Sequence, residues 1–175
     1  MPALEAGQTI DPELFRSAMS CFATGVTVVT ALEDDRPVGF TCQTVVSLSL
    51  DPPLLALAPA KSSTSWPRMA RAGAFCVNVL SDAQAGLARR FAVSGGDKFA
   101  GVAWRSGMSS APVLDGCLVA IHNRLELVHD AGDHEIVIGR VVAIEFDGDA
   151  TPLLFFRSNY RAIGESLGAN RPPET

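Results

Sequence analysis

Apolar residues are concentrated in short runs rich in valine, isoleucine, leucine and phenylalanine, separated by segments that contain glycine, proline or acidic residues. Runs of β-branched and aromatic residues bounded by turn residues are typical of β-strands. The two longest runs flank Asp130-Ala131-Gly132-Asp133, which predicts a β-hairpin. The predicted strands cover residues 25–32, 38–50, 54–58, 73–80, 117–129, 134–146 and 152–156.

A helix is predicted near the start of the chain. Asp11 suits the N-cap and Pro12 the first helical position, and Gly25 is a plausible residue just beyond the end. Apolar residues spaced four and three apart form one stripe on this helix. We interpret the stripe as core packing rather than a cofactor contact: Phe15, Met19 and Phe22.

Two further helices are predicted, one ending near Gly73 and one that the capping box of Ser81 and Gln84 opens and that continues through Phe91. The first of them follows a Ser/Thr cluster at residues 62–65, preceded by Lys61. Free N–H groups at a helix start, hydroxyls and a lysine can together hold a phosphate. Ordinary helix capping beside a solvated lysine explains the same residues.

The stretch from residue 37 to residue 61 carries an unusual polar pattern. Asp51-Pro52-Pro53 forces a corner, because neither proline can donate a hydrogen bond to a strand ladder. The apolar run before this corner contains hydroxyls and an amide but no charge. This pattern suits either a solvated edge strand or a surface for a planar, uncharged, polar-edged ligand. The polar residues are Thr41, Gln43, Thr44, Ser47 and Ser49.

Composition limits the class of protein. A chain of 175 residues with 47% hydrophobic and 19% charged residues is long enough for one globular domain. The net charge of -5 and the scattered arginines argue against a nucleic-acid partner, and the apolar runs are too short to cross a membrane. We expect a disordered segment at residues 1–10, one domain at 11–164 and a flexible tail at 165–175.

The cysteines and the N-terminus indicate a cytoplasmic protein. The four cysteines are widely separated and form no C-x-x-C motif, so reduced thiols are expected. Residues 1–10 lack the basic and apolar regions of a signal peptide. Three irregularly spaced histidines do not indicate a metal site, and none is predicted.

Several common catalytic motifs are absent or incomplete. No G-x-G-x-x-G or P-loop pattern occurs, H-E-I-V-I lacks the second histidine of a zinc protease, and G-M-S-S-A lacks the final glycine of a nucleophile elbow. Hydride transfer between two cofactors requires no side-chain nucleophile, because the cofactors carry the bond changes. The protein then needs only to bind and orient them.

The run G-F-T-C-Q-T-V-V-S-L-S-L-D-P-P-L resembles the flavin-contacting segment of the short-chain flavin reductase family. Four further motifs resemble the same family in order: G-V-T-V-V-T, F-C-V-N-V-L, G-D-H and P-L-L-F-F. The resemblance implies a mainly β fold with flanking helices, an antiparallel split β-barrel, in a homodimer. It implies NAD(P)H-dependent reduction of FMN or FAD and supply of reduced flavin to a separate monooxygenase component. The subgroup most similar is the reductase component of bacterial steroid-ring hydroxylases.

The resemblance also implies site residues. His134, in the G-D-H motif, is the expected catalytic and nicotinamide-contacting residue, with Asp133 and Tyr160 as further NADH-binding residues. The expected phosphate contacts lie around Lys61. The full set of expected flavin-binding residues is Gly39, Phe40, Thr41, Cys42, Gln43, Thr44, Ser47, Ala58, Pro59, Lys61, Ser62, Ser63, Arg90, Phe91 and Lys98.

Two alternatives on the same fold stay open from the sequence. One is a non-catalytic flavin-binding electron carrier, and the other is a ferric or cobalamin-type reductase that retains its flavin. The choice between FMN and FAD, and between NADH and NADPH, also stays open.

Overall fold

The computed structural model describes residues 9–146 and 149–164. The expected disordered segment at residues 1–10 lies almost wholly outside the described residues, and the expected tail at 165–175 lies entirely outside them. Both therefore stay predictions.

Strands dominate the fold, and all paired strands are antiparallel. Most predicted apolar runs became strands. Strands at residues 104–106, 112–114 and 159–161 were not predicted from the sequence. The strands are β1 (Thr24–Gly25), β2 (Thr27–Glu33), β3 (Arg36–Cys42), β4 (Val46–Leu50), β5 (Pro53–Leu57), β6 (Ala74–Val79), β7 (Trp104–Ser106), β8 (Pro112–Leu114), β9 (Val119–Ala131), β10 (His134–Phe146), β11 (Leu154–Phe156) and β12 (Asn159–Arg161).

The central sheet has seven strands in the order β3-β2-β6-β9-β10-β5-β4. A three-stranded sheet, β1-β11-β12, and the ribbon β7-β8 complete the β-structure. The long hairpin β9-β10 is the predicted one. Its loop is only Gly132-Asp133, because Ala131 pairs with His134. Gly132 has a φ of 67°, a conformation that a two-residue hairpin loop requires and that glycine adopts without strain.

The predicted single strand over residues 38–50 is interrupted. The chain leaves the ladder after Cys42 and re-enters it at Val46, so β3 and β4 lie at opposite edges of the seven-stranded sheet. Residues 43–45 therefore cross between the two edges. Because these residues belong to no strand, their side chains do not alternate between the two faces of the sheet. The polar ones, Gln43 and Thr44, can therefore both face a cleft.

Helix α1 (Pro12–Met19) begins as predicted, with Asp11 accepting backbone N–H bonds as its N-cap. Two parts of the prediction are wrong. The helix ends at Met19 rather than near Gly25, and its apolar stripe does not enter the core, since none of the residues of α1 is buried in the monomer. An amphipathic pattern indicates that one face of a helix is buried against another surface, but it does not indicate which surface that is.

Helices α2 (Trp66–Ala72) and α3 (Ala85–Ala92) agree with the sequence-based predictions. Gly73 ends α2 in the left-handed conformation, at a φ of 68°. Ser81 and Gln84 form the predicted capping box around a 3₁₀ turn, Asp82–Gln84, that leads into α3. Both helices present buried apolar residues, so they are the flanking helices of the prediction.

Two apolar clusters fill the molecule. Trp66 and Met69 of α2 pack with Phe40, Phe75 and side chains of the central sheet in the first cluster. The second cluster lies around α3 and the short strands: Val26, Val28, Leu80, Ala88, Phe91, Phe99, Leu114 and Leu153. Because Phe40 and Phe91 belong to different clusters and both line one cleft, that cleft lies where the clusters meet.

No helix within residues 9–146 and 149–164 is long and apolar enough to cross a membrane. Across the same residues, no group of three or more histidine, cysteine or acidic side chains is placed to hold a metal ion.

Candidate functional site

A cleft of about 350 Å³ lies at the end of β3, between the start of α2, the end of α3 and the tip of the β9-β10 hairpin. Four separate chain segments form its wall. They contribute aromatic, hydroxyl and amide side chains, one lysine and one histidine. The lining residues are Phe40, Thr41, Cys42, Gln43, Thr44, Ala58, Pro59, Ala60, Ser62, Ser63, Thr64, Ser65, Phe91, Ala92, Ser94, Lys98 and His134.

The crossing segment after β3 is held by its own hydroxyls. Thr44 Oγ1 accepts a hydrogen bond from Ala58 N at 3.0 Å and lies 3.3 Å from Ala58 O. Thr41 Oγ1 donates to Ala88 O of α3 at 2.6 Å, and Thr24 Oγ1 donates to the Gln43 amide oxygen at 3.3 Å. No hydrogen bond from the Gln43 amide nitrogen occurs within residues 9–146 and 149–164, so its N–H groups can donate to a ligand.

The cysteine in this wall is not a reactive thiol. Cys42 is buried, and burial raises the pKa of its thiol above the ordinary value. A raised pKa keeps the group protonated at neutral pH, which disfavours nucleophilic chemistry. Cys42 therefore contributes apolar surface to the cleft.

The hydroxyls before α2 divide between structural and free roles. Ser63 Oγ accepts from the backbone N–H groups of Ser65 and Trp66, so Ser63 rather than Ser65 caps the helix. Ser65 Oγ instead donates to Gly39 O at 3.0 Å. Ser62 has no hydrogen bond to the described residues. Its hydroxyl is thus open to a ligand, and the capping explanation of this cluster accounts only for Ser63.

Lys98 provides the positive charge of the cleft. Its ammonium donates to Gly39 O at 3.2 Å, to Phe91 O at 3.1 Å and to Ser65 Oγ at 3.4 Å. Burial lowers the pKa of Lys98 below its ordinary value. Since no carboxylate pairs with this ammonium among the described residues, its charge remains available to an anion.

The hairpin tip closes the other side of the cleft through backbone contacts. Lys61 N donates to Asp133 O at 2.9 Å, and Glu135 N donates to Pro59 O at 3.0 Å. The Glu135 carboxylate also accepts a hydrogen bond from the Trp66 indole N–H. These bonds connect the tip to the segment between β5 and α2, so His134 is held in place relative to that segment.

His134 is positioned by its neighbour. Its Nδ1 lies 2.7 Å from Asp133 Oδ1, and the contact with His134 holds the pKa of Asp133 below its ordinary value. An ionised carboxylate can only accept a hydrogen bond, so His134 Nδ1 must carry the proton that it donates to Asp133. The other ring nitrogen, Nε2, is then left for a ligand. His134 is partly exposed and lines the cleft.

Some of the predicted site residues lie away from the cleft wall. The side chain of Lys61 forms an ion pair with Asp130, Arg90 lines a separate shallow cleft beside α3, and Ser47 lies on β4. Tyr160 packs edge-on against Phe155, and the guanidinium of Arg89 lies over its ring. Gly39 lies behind the wall and contributes its carbonyl. Asp133 acts through His134.

The remaining predicted residues line the cleft together: Phe40, Thr41, Cys42, Gln43, Thr44, Ala58, Pro59, Ser62, Ser63, Phe91, Lys98 and His134. Sequence reasoning did not select Ser65 or Ser94 as site residues. Ser65 was assigned to the capping cluster, and Ser94 lay in a polar loop with no feature that marked it as part of a cleft. Lys98 connects that loop to the start of α2 through Ser65, a contact between distant residues that no local pattern reveals.

The chemistry of the cleft matches a flavin. Phe40, Ala58 and Ala92 line the cleft with apolar groups for a planar ring, while Gln43 and Ser62 offer neutral hydrogen-bonding groups to a polar ring edge. Lys98 offers a charge to a phosphate. A flavin mononucleotide needs these three kinds of contact, and the cleft has the concave, mostly neutral wall of a small-ligand site.

Comparison with known proteins identifies the family. A flavin reductase like domain matches residues 19–164. This chain belongs to the flavin reductase family. The reductase subunit HsaB of a flavin-dependent monooxygenase from Rhodococcus jostii is 44% identical over 158 residues, which cover 90% of this chain and 81% of that protein. An NADH:riboflavin 5'-phosphate oxidoreductase from Streptomyces pristinaespiralis is 40% identical, covering 89% of this chain and 90% of that protein.

Solved structures agree with the family assignment. A nitrilotriacetate monooxygenase component B homologue from Mycobacterium thermoresistibile superimposes with a TM-score of 0.87 at 38% identity and covers 93% of both chains. The resemblance inferred from the motifs is thus confirmed. So is the flavin reductase fold, a mainly antiparallel split β-barrel with flanking helices.

Proposed function

We propose that this protein catalyses NAD(P)H-dependent reduction of free FMN or FAD and supplies the reduced flavin to a separate monooxygenase component. One observation carries the proposal. The tertiary structure collects around one cleft an uncharged polar strand end, an oriented histidine and a lysine that pairs with no carboxylate of the described residues. That set binds a flavin ring, its phosphate and a second planar ring beside them.

The role of the protein is positional. A bound flavin supplies the two-electron chemistry, so no side-chain nucleophile is required. Lys98 balances the phosphate charge, Gln43 and Ser62 hold the ring edge, and His134 Nε2 accepts a hydrogen bond from the nicotinamide carboxamide N–H. Holding two rings at reacting distance removes most of the entropic part of the barrier.

The named relatives support the reaction and the partner. One is called an NADH:riboflavin 5'-phosphate oxidoreductase, and another is called a reductase subunit of a flavin-dependent monooxygenase. By analogy we assign NADH as the donor and a monooxygenase as the consumer of the reduced flavin. A steroid ring as the substrate of that monooxygenase stays a prediction from the sequence motifs.

We propose that the active form is a homodimer. Large apolar side chains remain exposed on α1, just after it, and on β4 and β10, more than isolated surface residues require. A second copy related by a twofold axis is the simplest cover for them. They are Leu14, Phe15, Met19, Phe22, Val46, Leu48, Leu50, Ile136, Val142, Ile144 and Phe146. Ile144→Glu should lower the mass measured by light scattering to that of a monomer, whereas a monomeric wild-type protein would contradict the proposal.

The site of action is proposed to be the cytoplasm. None of the four cysteines forms a disulfide bond, and three of them are buried. Free thiols persist in a reducing compartment.

The central experiment measures flavin binding and turnover together. Purified protein should quench FMN or FAD fluorescence at micromolar flavin and oxidise NADH at a rate that saturates with added flavin. The variant Gln43→Leu, which removes the polar edge contact, should weaken binding, whereas Asn159→Leu, an exposed amide change outside the cleft, should leave flavin affinity unchanged. Absence of quenching would refute the proposal. Flavin that binds without NADH oxidation would indicate an electron carrier instead.

A second experiment tests whether flavin leaves the protein. The reductase and its monooxygenase are separated by a dialysis membrane under anaerobic conditions, so that only small molecules are shared. Product formed after oxygen is admitted to the monooxygenase side would support diffusible supply. A flavin that co-purifies in stoichiometric amount and does not exchange during turnover would contradict it, and would favour a reductase that retains its flavin.

A further inference from the structure

A second, larger cleft of about 1010 Å³ adjoins the flavin cleft. The turn between β2 and β3 forms one side of it, the start of α2 a second, and the loop before Phe99 a third. Thr64, Ser65 and Lys98 line both clefts. The two clefts therefore meet at the lysine assigned to the flavin phosphate, and a ligand that passes this lysine enters the larger cleft.

The flavin cleft is small for a dinucleotide. Its volume of about 350 Å³ lies at the lower end of the roughly 300–1,000 Å³ found for pockets that enclose a whole small ligand. A ligand longer than a flavin mononucleotide must extend beyond it. The larger cleft begins where such an extension would continue, at the phosphate end.

The charges of the larger cleft cancel, since Glu33, Asp34 and Asp97 face Arg36, Arg68 and Lys98. Most of these charges are already engaged. Glu33 binds Arg68 and Arg71, and Asp97 accepts from Phe99 N at 3.0 Å. A cleft without net charge suits a neutral group, such as a nucleoside, better than a second phosphate.

Two charged side chains of the turn remain available. The side chains of Asp34 and Arg36 line the cleft, and their charged groups form no hydrogen bond or ion pair within residues 9–146 and 149–164. A carboxylate is the usual acceptor for the two hydroxyls of a nucleotide ribose. A planar guanidinium stacks on an aromatic base. Together they offer the two contacts that adenosine needs.

We propose that the larger cleft binds the adenosine half of FAD, with Lys98 at the pyrophosphate, Asp34 at the ribose and Arg36 on the adenine. This assignment rests on the proposed function, because it extends the flavin site. It makes FAD, rather than FMN, the flavin that the protein holds most tightly. The wall shared by the clefts favours FAD over NADH as the source of the adenosine, since His134, at the nicotinamide position, does not line the larger cleft.

The test compares the affinities of the protein for different flavins rather than its rates of turnover. Dissociation constants for riboflavin, FMN and FAD are measured by fluorescence quenching with the wild type, Arg36→Ala and Asp34→Asn. The matched control is Asp35→Asn, because Asp35 lies in the same turn, also has a positive φ and does not line the cleft. Asparagine tolerates a positive φ, so Asp34→Asn and Asp35→Asn differ mainly in whether the changed side chain contacts the ligand. Thermal melts verify that each variant folds.

The wild type should bind FAD about tenfold or more tightly than FMN, the gain expected for one or two hydrogen bonds to charged groups. Arg36→Ala and Asp34→Asn should each remove most of that difference without changing FMN affinity, and Asp35→Asn should retain it. Equal affinities of the wild type for FAD and FMN would overturn the proposal while leaving the flavin reductase function intact. If Arg36→Ala or Asp34→Asn raised the KM for NADH and left the affinity for FAD unchanged, the larger cleft would be assigned to NADH, and this would also overturn the proposal. Failure to bind any flavin would refute the proposed function itself.

Discussion

Gly39 is required by the close approach of β3 to its neighbours. A Cβ at this position would lie 2.9 Å from Val29 O and 3.0 Å from Phe91 Cε1. The Val29 carbonyl belongs to the neighbouring strand β2, so this contact can be relieved only if β3 shifts against β2. The Phe91 ring must move as well. Gly39→Ala is therefore an overpacking change between β3 and α3.

Overpacking a well-packed interior costs about 1–3 kcal/mol. For a chain of this length, each kcal/mol lowers Tm by about 2–4 °C, so a decrease of about 2–12 °C is expected. Phe91 lines the flavin cleft, and its carbonyl accepts from Lys98, as does the carbonyl of Gly39. Flavin affinity should therefore fall together with stability.

Gly86→Ala is the matched control. It makes the same chemical change in α3, where an added Cβ would meet no atom within 4 Å. In a helix, alanine is favoured over glycine by about 0.5–1 kcal/mol, so this variant should be slightly more stable than the wild type. Both variants are compared by urea unfolding and by FMN quenching. A Gly39→Ala protein with wild-type unfolding midpoint and wild-type FMN affinity would show that β3 and α3 are not packed as described.

Three further predictions concern the site and the core. His134→Ala should raise the KM for NADH about two- to tenfold, the effect of one hydrogen bond, while the Kd for FMN stays unchanged; loss of FMN binding with intact NADH kinetics would reject the assigned role. Because burial lowers the pKa of Lys98, the charge of its ammonium is lost at a lower pH than usual, so the preference for FMN over riboflavin should decline as pH rises through that pKa; a flat profile would contradict this. Asn78 is buried, accepts from Leu114 N at 2.9 Å and donates to Val28 O at 3.1 Å. Asn78→Leu should therefore reduce the free energy of unfolding by about 3 kcal/mol in urea titrations, against less than about 0.5 kcal/mol for Asn159→Leu at an exposed position.

Local signals in the sequence were enough for most elements. The capping box of Ser81 and Gln84, the end of α2 at Gly73 and the hairpin around Gly132 depend on neighbouring residues only. Each such signal is the preference of a few residues for one backbone conformation, and tertiary packing did not override it. The ordered motifs also predicted the family and most of the cleft wall.

Other features depend on contacts between distant parts of the chain. The apolar stripe of α1 was assigned to the core, but periodicity cannot state which surface covers a helix face. Lys61 was assigned to the flavin phosphate, but the tip of the hairpin brings Asp130 beside it. The predicted strand over residues 38–50 is broken before β4 because β3 and β4 pair at opposite edges of the sheet. The polar pattern of these residues did not reveal that order of strands.

The sequence by itself determined most of the strands, the helix boundaries controlled by caps and glycines, and the kind of ligand, because these follow from local backbone preferences and from the types of side chain present. Only the tertiary structure decided that Lys98 lies against Gly39 and Phe91, between two adjoining clefts. An ammonium can donate to any carbonyl within reach, and which carbonyls are within reach is set by how β3, α2 and α3 pack together.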